Sequence, residues 1–339
     1  MTCATNQFNI VKKILNYTNF SENIIELILI EYWDFLPKQL ILLNWIDINN
    51  LDWSSLSENK NAIHLLLKNI DKIDWKVLSQ NPKAISILEN NIDKVDWTRL
   101  SSNIYAYHIL KNTIDWKYKS LFNKSILDLF KFIIKLIFNK SKIDWYNLSM
   151  NENVIPILEN NLNKISWNFL SFNENAIHLL EQNQNKIDWE FLSFNRKAIH
   201  LLEQNQDKID WEFLSSNENA IHLLEQNQDK IDWDNLSFNE NAIHLLEQNI
   251  NRVNWGNLSE NINAIPILKN NKLKINWKRL SENTNAIYLL QQNQDKIDWD
   301  NLSENINAIP ILKNNKDKIN WKNISKNPSI FEIEHMPII

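Results

Sequence analysis

The chain is nearly without glycine and cysteine: 339 residues contain one glycine, Gly256, one cysteine, Cys3, and three methionines. A lone cysteine excludes both an internal disulfide framework and a thiolate metal cluster, and it fits a reducing compartment. Long apolar runs are also missing. The most apolar stretch, ILDLFKFIIKLIF at 126–138, has thirteen residues and three charges, too short and too charged to span a bilayer. The opening MTCATNQFNIVKKILNYTNF lacks both an uninterrupted apolar segment and a small-residue cleavage site, so no export signal is read. The expectation is a soluble, intracellular, non-secreted protein with no membrane partner. An excess of positive charge is absent as well: the formal charge is −5, which argues against a nucleic-acid partner. The shortage of glycine is the sharpest of these constraints, because whatever turns this chain makes, it makes without the residue best suited to them.

What is present is repetition. WEFLSFNRKAIHLLEQNQDKID at 189–210 is followed by WEFLSSNENAIHLLEQNQDKID at 211–232, differing at three of 22 positions. Tryptophan sets the register at Trp53, Trp75, Trp97 and Trp116, then every 22 residues from Trp145 to Trp321. The intervals on either side of Trp116 are 19 and 29 residues. Counting Trp as position 1, the unit reads W-x-x-L-S-x-N-x-N-A-I-x-x-L-x-x-N-x-x-K-I-D. The period overrides a division into globular domains by length. Residues 1–52 read as an N-terminal helical cap with a degenerate repeat, 53–320 as tandem units with an irregular one at 116–144, and 321–339 as a partial repeat and C-terminal cap.

Each position has a physical reading. Position 22 is Asp, Asn or Ser, the residues that accept a hydrogen bond from the first turn of a helix, so a short helix starts at Trp. Positions 1 and 4 share its buried side, and positions 2, 3 and 6 the other. Positions 7 and 9, usually Asn, offer a second cap. Positions 10, 11, 13 and 14 form the apolar face of a second helix starting at position 8 or 10, with proline tolerated in its first turn. Asn at position 17 replaces glycine as a helix-ending residue in the left-handed conformation. The fold expected is an all-α, elongated α-solenoid of short helix-turn-helix repeats. The competing architecture is a leucine-rich-repeat-like α/β solenoid, in which Lys-Ile-Asp-Trp is a strand.

The units LSENKNAIHLLLKNIDKIDW and LSQNPKAISILENNIDKVDW resemble tandem 22-residue repeats in proteins of unassigned function from large DNA viruses of protists. The resemblance covers about residues 53–331 and implies an intracellular viral protein, in the host cytoplasm, but carries no catalytic residues with it. The stretch FLPKQLILL at 35–43 faintly resembles the start of an F-box, which implies an adaptor role for the N-terminus.

No singular chemistry stands out. The histidines at position 12, His64, His108, His178, His200, His222 and His244, occur once per unit, too far apart on stacked helices to share one metal ion. No phosphate loop or nucleophile motif is present, so no catalytic, metal or cofactor residue is assigned and the protein is read as non-enzymatic. Residues 167–254 hold fifteen acidic and six basic side chains, a formal −9. The same units place Phe169, Phe172, Phe191, Phe194, Phe213 and Phe238 at positions 3 and 6, beside Glu190, Glu212 and Asp234 at position 2. An acidic surface with exposed aromatics suits a basic and apolar protein partner. Protein binding by a scaffold is therefore the expected function, with a single-stranded-RNA-binding helical repeat or a self-assembling structural protein as rivals.

Overall fold

A computed structural model of the chain describes residues 40–114 and 143–333 continuously, with scattered helical positions before residue 30. The extension of the irregular unit at 115–142 lies outside the described residues, as does most of the N-terminal cap expected before residue 40. The fold is an all-α solenoid. Among the described residues the only strands are β1, Leu40–Leu42, and β2, Phe331–Ile333, so the α/β horseshoe is not the architecture. Lys-Ile-Asp carries a short 3-10 turn and an extended cap instead of a strand.

The unit at 189–210 shows the construction. Asp188 is extended, with φ −88° and ψ 106°, and its side chain accepts from the Phe191 N–H, starting the first helix, Trp189–Phe194. Asn195 ends it in extended conformation, and its Oδ1 accepts from the Lys197 N–H at 3.0 Å. The second helix, Ile199–Gln204, starts at position 11 behind an Ala that makes no side-chain cap. Positions 8 and 10 therefore lie outside it, a correction to the expected start. The capping asparagine closes a tight turn of its own, and the helix begins after that turn.

Asparagine at position 17 does replace glycine, though not in the left-handed region. Asn205 has φ −134° and ψ 49°, and no described residue has a positive φ. Its Nδ2 donates to the Leu201 carbonyl at 2.9 Å, so the side chain satisfies a helix-end acceptor that a left-handed backbone would otherwise reach. Every other unit with an Asn at this position and both helices described makes the same bond, as at Asn183 and Asn227. This is how the fold turns repeatedly with one glycine.

Leu at position 4 and Ala at position 10 are fully buried, and the small Ala allows the two layers to approach closely. The tryptophans are less enclosed than a stacked core would have them. Trp97 and Trp233 are buried, while the other ten register tryptophans described are half-buried. The cation at position 20 covers the ring, as with Lys208 Nζ 4.5 Å from the Trp189 centroid and Lys230 Nζ 4.6 Å from that of Trp211. An indole so placed needs only one face in the core, since the ammonium and its apolar stem shield the other.

The elongation expected from the sequence is not found, because the two ends meet. Where one unit passes to the next, the N–H at position 22, which caps the following first helix, donates to the Ser Oγ at position 5 of its own unit, as from Asp210 to Ser193 at 3.0 Å. The Asn at position 7 donates to two carbonyls of the preceding unit, as from Asn217 to Ser193 and Asn195. The last unit makes the same bonds to the first: Asp52 N–H to Ser325 Oγ at 2.9 Å, and Asn59 Nδ2 to the Ser325 and Asn327 carbonyls at 3.0 Å. Helix Trp53–Glu58 packs on helix Trp321–Lys326 as on any neighbour. β1 pairs antiparallel with β2 in the register Leu40↔Ile333 and Leu42↔Phe331.

The final unit is thus assembled from both termini. Residues 321–330 supply positions 1–10, and 48–52 supply positions 18–22, including the 3-10 turn Ile48–Asn50. The strand pair replaces the missing second helix. The unit at Trp145 follows directly on the unit at Trp97: Asp144 N–H reaches Ser101 Oγ at 3.1 Å and Asn151 binds the Ser101 and Asn103 carbonyls. The unit starting at Trp97 is therefore finished by Ile143 and Asp144. Among the described residues, twelve units form a closed ring.

Closure makes a specific prediction about stability. Asn59→Ala, at the seam, should cost about as much as Asn217→Ala at mid-array, each ~1–3 kcal/mol from buried carbonyls left unpaired. Chemical denaturation of the two variants decides it; a neutral Asn59→Ala beside a damaging Asn217→Ala would mean that the ends do not meet in solution.

Candidate partner-binding arc

Contacts between neighbouring units are closest among the first helices, while second helices of neighbouring units approach less closely. In a closed ring the shorter spacing belongs to the smaller radius, so the first helices form the inner wall and the second helices the outer one. Position 4, fully buried, points outward into the core. Positions 2, 3 and 6 lie on the opposite side of the helix and face the lumen.

The aromatic residues singled out in the sequence come together on this wall. Phe169 and Phe191 have centroids 6.0 Å apart, Phe191 and Phe213 6.3 Å, and at position 6 Phe172 stacks on Phe194 at 5.1 Å and 15°. All five are half-buried. Twelve even steps turn the chain about 30° per unit, so rings 5.1–6.3 Å apart lie on a circle of radius about 10–12 Å. Glu190, Glu212 and Asp234 stand exposed beside the ladder.

Phe238 is separated from the other rings, because Ser216 occupies position 6 of the intervening unit. Its neighbour is the Arg279 guanidinium, 5.9 Å from the ring and also bonded to Glu260 and Asn257 at 3.0 Å. Gly256 lies beside that side chain: a Cβ there would make ordinary contact with Arg279 Nε at 3.7 Å and a closer one with the capping Asn254 Oδ1 at 3.1 Å. The single glycine turns no corner, since its φ is not positive.

Two residues of the arc escape a reading by repeat position alone. Tyr146, at position 2, meets Phe169 edge-on at 5.4 Å and is 63% exposed, and Met150 continues the position-6 row. An apolar residue at a position that is elsewhere polar was the available signal. On the other edge of the ladder, Arg196 bridges Glu174 and Glu218 at 3.0 Å each. Those carboxylates hold its guanidinium proton more tightly than usual.

The rest of the lumen is polar. In the position-6 row, Glu282 lies between Glu260 and Glu304, and its carboxyl is held above the usual range, first by partial desolvation and then by its two neighbours. The Ser54 hydroxyl donates to Asp74 at 2.7 Å and lowers that carboxyl. The position-12 histidines lie on the outer wall, four of them paired with a glutamate of the preceding unit, as His200 Nε2 with Glu181 at 2.9 Å. Among the described residues no three His, Cys, Asp or Glu side chains converge on a metal position, and no helix is long and apolar enough to cross a membrane.

Comparison with known proteins returned no match: no family model, no curated protein and no solved structure is similar to this chain.

The raised Glu282 carboxyl sets a pH dependence. The folded ring retains this proton where the unfolded chain has released it, so the group's contribution to stability falls as pH rises through the unfolded value toward the raised one. Glu282→Gln should therefore raise the melting temperature at pH 7. The gain should vanish below about pH 4, where both states are protonated. Thermal melts at the two pH values test it, and an unchanged or lower melting temperature at pH 7 contradicts it.

Proposed function

We propose that this protein is a non-enzymatic scaffold that binds another protein through the lumenal arc, with Phe169, Phe172, Phe191, Phe194, Phe213 and Phe238 as apolar anchors and Glu190, Glu212 and Asp234 as charge. The observation that carries this reading is the ladder of half-buried phenylalanines, adjacent in space across consecutive units and flanked by exposed carboxylates. A few aromatic anchors commonly dominate interface energy, and the carboxylates favour a partner with basic residues beside its apolar ones.

The same geometry disfavours the rivals. Single-stranded RNA binds by laying bases on free aromatic faces under a basic groove, whereas these rings stack on each other and their borders are acidic. End-to-end self-assembly needs an exposed stacking face, and the closed ring has used both of its own. Leu40–Leu42, in the stretch that resembles an F-box start, is a strand of the seam. From the repeat resemblance we further infer an intracellular viral protein that works in the host cytoplasm.

The test replaces Phe169, Phe191 and Phe213 with Asn, and Phe172, Phe194 and Phe238 with Ser, residues that other units carry at these positions. Stacked pairs contribute about 0.5–1.5 kcal/mol each, so the variant should melt lower yet keep its helical circular dichroism. Recovery of a protein partner in quantitative co-purification should fall tenfold or more. Undiminished recovery with a folded variant overturns the assignment of the arc.

A further inference from the structure

The lumen has an acidic wall at Glu190, Glu212 and Asp234 and, across from it, a wall of mixed charge that holds the lysines. Position 2 runs around the ring as Ser54, Lys76, Thr98, Tyr146, Asn168, Glu190, Glu212, Asp234, Gly256, Lys278, Asp300 and Lys322. Six units separate the two sides of a twelve-unit ring, so Glu190 faces Lys322 across it and Asp234 faces Lys76. All four side chains are exposed. No ion pair within hydrogen-bonding range occupies any of them among the described residues, in contrast to Arg196 or Lys326, whose cations are paired along the ring. The aromatic side chains at these positions are confined to one side. The acidic wall carries the phenylalanines, and the wall across from it has Glu304, Lys326, Glu58 and Gln80 at position 6.

The width of the lumen selects the conformation of an occupant. Phenylalanine centroids on a circle of about 10–12 Å radius leave a passage of roughly 15 Å once the rings' own bulk is subtracted, and an α-helix with its side chains measures about 10–12 Å across. An extended segment along the phenylalanines would leave the opposite wall untouched. A helix reaches both.

We propose that the lumen receives one amphipathic α-helix of a partner protein, inserted along the ring axis, with an apolar stripe on the phenylalanines, Lys or Arg beside Glu190, Glu212 and Asp234, and acidic residues on its far face toward Lys76 and Lys322. This rests on the protein-binding reading above and adds the occupant's conformation, its charge pattern and a second contact surface. Helices recognised in apolar grooves are read through anchors at i, i+3, i+4 and i+7, and here the charge bands fix rotation about the helix axis as well.

The probe is a synthetic fluorescent peptide of about five helical turns carrying a Leu stripe at i, i+3, i+4 and i+7, Lys flanks and a Glu back. Binding to the full chain is followed by anisotropy at about 0.15 M salt, where charges more than about 8 Å apart are largely screened. Expected results are one peptide per ring, a Kd weakened tenfold or more in the six-phenylalanine variant, and a Kd weakened about fivefold or more by Lys76→Glu with Lys322→Glu. Those two lysines are exposed and serve no structural contact described above, so the ring should stay folded, which circular dichroism checks. Two prolines in the middle of the peptide should also abolish binding.

The outcomes separate the two levels of the proposal. Binding that depends on the phenylalanines but ignores both the reversed wall and the prolines assigns the arc to an extended segment, which overturns the helix and leaves the scaffold reading intact. Binding indifferent to the phenylalanines overturns both, as does preferential binding of an oligouridylate probe. Peptide binding seen only after residues 118–140 are shortened reassigns the lumen to this chain's own basic and apolar stretch, and overturns an external occupant.

Discussion

The ring depends on a pair of buried polar side chains, the serine at position 5 and the asparagine at position 7. The serine hydroxyl donates to the carbonyl of its own tryptophan and accepts the N–H at position 22 of the next helix start, as Ser193 does between Trp189 and Asp210. The asparagine donates to backbone carbonyls of the preceding unit and accepts from its own chain two residues on. Both residues are almost wholly enclosed throughout the circuit. Buried backbone groups left unpaired are costly, so these bonds leave little freedom in the angle between neighbours. A step angle repeated without variation becomes a circle.

That constraint explains which positions vary. Positions 4, 5, 7 and 10 face the core or the inter-unit ladder and admit few changes, while positions 2, 3 and 6 project into the lumen and carry Phe, Asn, Arg, Glu, Lys, Ser or Gly. Because the ladder runs through the backbone of every unit, a lumenal side chain can change without changing the step angle. A charge-banded, one-sided lumen can therefore be written onto a nearly uniform frame.

Much of this was legible in the sequence. The Trp period, the Asp or Asn before it and the Leu-Ser after it foretold the first helix, and Asp188 and Asp210 cap as their chemistry suggests. The phenylalanines at positions 3 and 6 were recognisable as solvent-side, since other units place Asn or Glu there. Three features were not legible. Asn205 at position 17 caps through its amide and not through its backbone conformation, and the two give the same residue preference. Closure depends on the accumulated rotation of twelve steps, which no single unit encodes. The split last unit was hidden because no tryptophan stands 22 residues before Trp53, so that Ile48–Asp52 reads as off-register until Ser325 and Asn327 are seen beside Asp52 and Asn59.

A closed circuit imposes integer arithmetic on the gene. Tracts as alike as 189–210 and 211–232 favour unequal copying, and an open array would absorb one unit more or fewer by growing longer or shorter. A ring of eleven or thirteen must instead turn about 33° or 28° at every step against a ladder set near 30°. The junction between the units at Trp97 and Trp145 shows one resolution: Asp144 bonds to Ser101 as a direct neighbour would, although the sequence between them carries a further register tryptophan, Trp116. Replication errors in this family of tracts would then be filtered by geometry, surviving as insertions hung from a loop far more readily than as additional members of the ring.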